Sequence, residues 1–124
     1  MKILVILSLF FITNNVMAQS KTNYQRLVKI VVDSTQLDAF KVALKEGTET
    51  GVRVEAGVLS YAIFYEKEHP NHITIFETYA SIEAYNKHIQ TPHFKKYKAT
   101  VANMVQSLDI VDIESLANVT KKEK

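Results

Sequence analysis

Residues 73–94, ITIFETYASIEAYNKHIQTPHF, decide the fold. From Ile73 to Tyr79 apolar and polar side chains alternate, the period of a strand with one face buried. Ser81 then stands where a helix needs an acceptor for its free N–H groups, and Ile82, Tyr85 and Ile89 recur at helical spacing behind it. Thr91 followed by Pro92 repeats the signal: a capping hydroxyl, then a residue whose fixed φ suits the first helical position. The stretch therefore predicts a strand and two short helices, with His88 and His93 on successive helices beside an apolar stripe.

Working outward, Tyr24–Val32 (YQRLVKIVV) is rich in β-branched residues and predicts a first strand, with Asp33 or Ser34 as cap for a helix. That helix carries Leu37, Phe40, Leu44, Gly47, Gly51 and Val54 on one stripe. Its two glycines either allow close packing on the sheet or leave room for a ligand. Gly57 is expected to end it in a left-handed conformation. Val58–Glu66 predicts a second strand, with Leu59, Tyr61, Ile63 and Tyr65 on one face and Val58, Ser60, Ala62 and Phe64 on the other. Lys67–His72, with Pro70 and Asn71, reads as a hairpin turn holding an exposed His69 and His72. Phe94, Tyr97, Val101, Met104 and Val105 continue a helical stripe, and Leu108–Glu114 predicts the last strand.

The order strand, helix, strand, strand, two short helices, strand folds with right-handed crossovers into an α+β, ferredoxin-like, four-stranded antiparallel sheet with all helices on one face. Val28, Ile30 and Val32 oppose Leu27 and Val31, and Ile110 opposes Val111 and Ile113, so both faces are apolar while helices cover one. A second copy of the chain is the expected cover for the other face.

Composition limits the rest. A chain of 124 residues, 47% hydrophobic, supports one domain with an ordinary core. Met1 and Lys2, the apolar run Ile3–Ile12 and the small residues before a cleavage after Ala18 read as a signal peptide over residues 1–18. Residues 19–23 are then a polar lead-in, 24–116 the domain and 117–124 a disordered tail. The run is short for a permanent bilayer span of about 20 residues, so no membrane span is expected after cleavage. The expected location is periplasmic or secreted. Beyond Ala18 there are 14 basic and 13 acidic residues, without a stripe that would grip nucleic acid, and Lys95, Lys96 and Lys98 read as a solvated helix side. The chain has no Cys, so packing alone must stabilise it.

A strand ending Glu77-Thr78-Tyr79, a short helix ending in His88, and Thr91-Pro92-His93-Phe94 together resemble the antibiotic biosynthesis monooxygenase superfamily, whose small members include quinol monooxygenases. The likeness runs from about Tyr24 to about Ile113. It implies a dimeric α+β barrel and an oxygenase without flavin, haem or metal, in which a quinol or phenol is deprotonated in an apolar pocket and meets dioxygen. On this likeness His88 and His93 are the candidate catalytic bases. Tyr61, Tyr65, Glu77, Tyr79, Tyr85 and Phe94 are candidates to line the substrate.

Other readings stay open. Glu77 shares a face with Ile75 and Tyr79, so it belongs either to a dimer interface, paired with a base of the partner, or to the pocket. Two histidines five residues apart without a third ligand nearby do not make a metal site. The haem-degrading branch uses a Trp and a first-strand Asn, and this chain has no Trp and no Asn in 24–32. Arg26 and Arg53 are too few for the acidic sugar-like substrates of isomerase relatives. The alternative to an enzyme is a dimeric small-molecule-binding or stress-related module of the same fold.

Overall fold

The computed structural model describes residues 22–124. The signal-peptide reading of 1–18, with residues 19–21 of the lead-in, lies outside the described residues. Four strands, β1 (Tyr24–Val32), β2 (Val58–Tyr65), β3 (His72–Tyr79) and β4 (Val105–Ile113), form one antiparallel sheet in the order β2-β3-β1-β4. Three helices, α1 (Leu37–Val54), α2 (Ile82–His88) and α3 (Pro92–Val101), complete the expected ferredoxin-like α+β order. Beyond Ile113 the chain adds no helix or strand and is exposed. No helix among the described residues is long and apolar enough to cross a membrane.

The capping residues act where the sequence places them. Asp33 accepts from the Thr35 N–H at 3.0 Å and the Thr35 hydroxyl at 2.8 Å, closing a short 3-10 turn before α1. Ser81 accepts from the Ala84 N–H at 3.1 Å. Thr91 accepts from the Phe94 N–H at 3.3 Å and donates to the His88 carbonyl at 2.7 Å, so one hydroxyl ties α2 to α3.

One sheet face packs against the helices. Val28, Ile30 and Val32 of β1 and Ile73 and Ile75 of β3 meet Phe40, Leu44 and Val101 in the core. Phe40 is wholly buried, which contributes about 1.5–3 kcal/mol. On the opposite face Phe64, Phe76 and Val111 are 55%, 43% and 49% exposed, and the two Phe rings pack edge to face. The apolar second face expected from strand alternation is thus bare in the single chain.

Five expectations need correction. Gly57 has no positive φ, and α1 ends at Val54 with an extended Glu55 instead. Gly57 is small for another reason: a Cβ there would lie 2.5 Å from that of Ala84, so its absence lets α2 dock. Val54 is 53% exposed, because the stripe has turned from the sheet by the last turn. A bulge between Val58 and Ser60 makes Leu59 the extra residue, which sets Val58 opposite Tyr79 on the face of Tyr61. β4 begins at Val105, three residues early, and His72 opens β3 rather than closing the turn. In both places pairing with β1 outweighs the local pattern.

Candidate functional site

Sheet register builds the floor of the site. Tyr61 pairs with Glu77, Glu77 with Arg26 and Arg26 with Asp112, so a polar row crosses all four strands on the helix-facing side. The next row, Ile63, Ile75, Val28 and Ile110, is apolar. Above these rows lies a cavity of about 390 Å³, walled also by Leu44, Tyr85, His88, Ile89, Phe94, Tyr97 and Lys98 from the helices.

At one end two histidines converge on a single carboxylate oxygen. Glu55 Oε2 lies 2.7 Å from His88 Nδ1 and 2.6 Å from His93 Nε2. A carboxylate oxygen only accepts, so each ring presents an N–H to it. That leaves His88 Nε2 to accept from the Tyr61 hydroxyl at 3.2 Å. Gly51 lies against the group: a Cβ there would stand in van der Waals contact, 3.4 Å from Glu55 Oε2 and 3.7 Å from both the His88 and Tyr61 rings. His88 is 5% exposed, with Phe94 set edge-on against its ring.

From Tyr61 the polar contacts run on across the floor. Its hydroxyl is 3.4 Å from that of Tyr79, which donates to Glu77 Oε2 at 3.0 Å. Burial pushes both phenols up, Glu77 adding to the effect, so they carry hydrogen rather than charge. Burial also pushes Tyr97 up to about 12. Glu77 is raised by burial, against the opposing pull of Arg26 and of the Tyr79 hydrogen bond. Arg26 lies beside it, 8% exposed, with its guanidinium carbon 4.4 Å above the Tyr85 ring. Its NH1 reaches Glu77 Oε2 only at 4.0 Å, and its Nε is buried without an acceptor among the described residues. A buried donor left unmatched costs about 1–3 kcal/mol, and more when charged.

Glu55, His88 and His93 offer three possible ligand atoms within 4.8 Å of one another, so Glu55 supplies a third donor that sequence spacing did not reveal. The 2.6 and 2.7 Å separations are those of hydrogen bonds, whereas ligands of a tetrahedral ion about 2.0 Å away stand roughly 3.3 Å apart. The geometry is therefore that of a hydrogen-bonded triad.

Residues 24–100 match the family described as antibiotic biosynthesis monooxygenase. This chain belongs to the antibiotic biosynthesis monooxygenase family. Among solved structures it is similar to a candidate member of that family from Bacteroides thetaiotaomicron, 44% identical over 82% of this chain and 97% of that one, with a TM-score of 0.77. A candidate monooxygenase from Lactobacillus acidophilus is 31% identical over 73% of this chain and 43% of its own, with a TM-score of 0.71. A candidate family member from Nitrosomonas europaea, 24% identical over 77% of this chain and 92% of its own at a TM-score of 0.71, shares the fold. No curated protein matches the chain.

Within this family fold, the residues singled out from sequence do not all meet. Tyr61, Glu77, Tyr79, Tyr85, His88 and Phe94 line one cavity. Glu77 stands on the cavity side, facing a base of its own chain. His93 does not line that cavity; it is linked to it through Glu55 and then His88, and it borders a separate recess of about 150 Å³ between α1 and α3. Tyr65 lies at the end of the edge strand β2, 60% exposed beneath Lys41 of α1 and outside the cavity lining. Two site residues were missed. Arg26 was legible, since alternation puts it on the side of Val28, Ile30 and Val32; Glu55 follows the helix end and has no periodic signal.

Proposed function

We propose that this family member is a cofactor-independent monooxygenase that oxidises a quinol or similar phenol with dioxygen, with His88 as the general base. The observation that carries the reading is a buried imidazole in the wall of a 390 Å³ cavity, backed by a carboxylate and set beside an apolar row of the floor. In this reading the substrate hydroxyl gives its proton to the Tyr61 oxygen as Tyr61 passes its own to His88 Nε2. Glu55 steadies the resulting imidazolium, and the apolar walls keep water from competing. The electron-rich phenolate then reduces dioxygen and forms a C–O bond. Loss of water leaves one oxygen on the ring as hydroxyl, and the quinol supplies all four electrons, so no outside reductant is consumed.

Oxygen uptake with menadiol tests this. Turnover above autoxidation that is lost in His88→Ala supports the enzyme. Binding of menadiol without turnover in the native protein favours the ligand-binding module instead.

The proposal includes a homodimer joined through the bare face that carries Phe64, Phe76 and Val111. Apolar area of this kind on both sides of a sheet is what a second copy would cover. Light scattering should then give twice the chain mass, and Phe76→Glu should halve it. Export is proposed as well, on the pattern of residues 1–18, and a mature N-terminus at Gln19 is the expected result of N-terminal sequencing.

A further inference from the structure

Arg26 is buried in the wall of an open cavity, and its guanidinium is only loosely paired. The cross-strand register puts it directly beside Glu77, yet the two approach no closer than 4.0 Å. Its Nε has no acceptor among the described residues, while the flat side of the guanidinium rests on Tyr85. The planar fork of an arginine fits an oxygen anion through two parallel N–H groups, and an apolar surround strengthens such bonds. Val28, Ile75 and Ile110 supply that surround one row away on the floor.

We propose that Arg26 is a ligand subsite: its guanidinium takes a negatively charged oxygen, carboxylate or phenolate, of a flat aromatic molecule whose body lies on the apolar row. The inference deepens the reading of this cavity as a reaction site by naming which ligand oxygen is anchored away from His88. Glu77 is then the group that adjusts the charge. Facing it are Arg26 on β1, Tyr61 on β2, Tyr79 on its own strand, His88 on α2 and Tyr97 on α3, with Asp112 on β4 across from Arg26. An anion arriving at Arg26 would crowd the Glu77 carboxylate, which burial already disposes to hold a proton. Binding of a fixed anion therefore favours proton uptake at Glu77.

Calorimetry on the native protein at neutral pH with 2-naphthoate, 2-naphthol and 2-naphthalenemethanol tests this without any turnover. The carboxylate should bind at least tenfold more tightly than the alcohol. A similar gain for 2-naphthol would show that a phenol is also held as its anion, and no gain for it would restrict the subsite to carboxylates. Arg26→Met should abolish the preference and Arg26→Lys, which keeps the charge without the fork, should keep only part of it. Repeating the titration in buffers of different ionisation heat should show net proton uptake with 2-naphthoate, and none in Glu77→Gln. Should Arg26→Met fail to fold, the ranking of the three ligands on the native protein and the Arg26→Lys result decide the matter. Equal affinity for all three, no millimolar binding of any, or a preference that survives Arg26→Met overturns the subsite. Anion preference without menadiol turnover would keep the subsite and remove the oxygenase; turnover without the preference would do the reverse.

Discussion

The two ends of the cavity are built on opposite plans. At the histidine end three side chains share short hydrogen bonds, 2.6 and 2.7 Å long, and the next link to Tyr61 is 3.2 Å. At the arginine end a guanidinium and a carboxylate stand 4.0 Å apart with a donor unmatched. Polar groups that are fully paired hold each other in place, whereas an unmatched one gains when something arrives. On the proposed reading the contrast separates a part of the site fixed by the fold from a part that a ligand would complete.

Breaking the fixed end should have the largest effect. His88→Ala is expected to lower menadiol turnover by about 10²–10⁴-fold, the usual worth of a positioned acid–base group, with oxygen uptake as the measure. Unchanged turnover would remove His88 from the mechanism. Next comes Glu55→Ala, which strands two ring N–H groups in a mostly buried setting and should cost about 1–3 kcal/mol of stability in urea unfolding. A loss near zero would mean that the triad is not formed in solution.

At the other end the expected signature is a pH dependence. Glu77 is raised in the folded protein by burial, so the folded state holds this proton more tightly than the unfolded one. Stability therefore falls as pH rises from the ordinary carboxylate value of 4.5 through the folded value, with a slope of at most about 1.4 kcal/mol per pH unit. Glu77→Gln should flatten that limb; an unaltered profile would place the proton elsewhere. The smallest effect is expected for Thr91→Ala, about 1 kcal/mol from the lost cap of α3, read as a lower Tm. Loss of menadiol turnover greater than that destabilisation explains would show that the α2–α3 link also aims the rings.

The two ends also differed in how far they could be read from the chain. Elements came from short-range signals: a run of β-branched residues marked β1, alternation marked β3, and Ser81, Thr91 and Pro92 marked the helix starts to the residue. His88 and Glu77 were legible because each sits on a regular element whose period gives its direction. Glu55 was not, since its role depends on α1 ending beside two later helices, a long-range fact without a local pattern. The bulge at Leu59 and the early start of β4 were hidden for a related reason: strand register is settled by the neighbouring strand.

The Thr91 hydroxyl, last link of one helix and first of the next, has a consequence for how this chain can vary. Each added residue would swing a helical side chain by about 100°, so one insertion between 88 and 93 would send the two rings in different directions. Loops elsewhere can lengthen at small cost. This four-residue splice behaves like a gauge block, and its length must stay constant for both rings to reach the same oxygen.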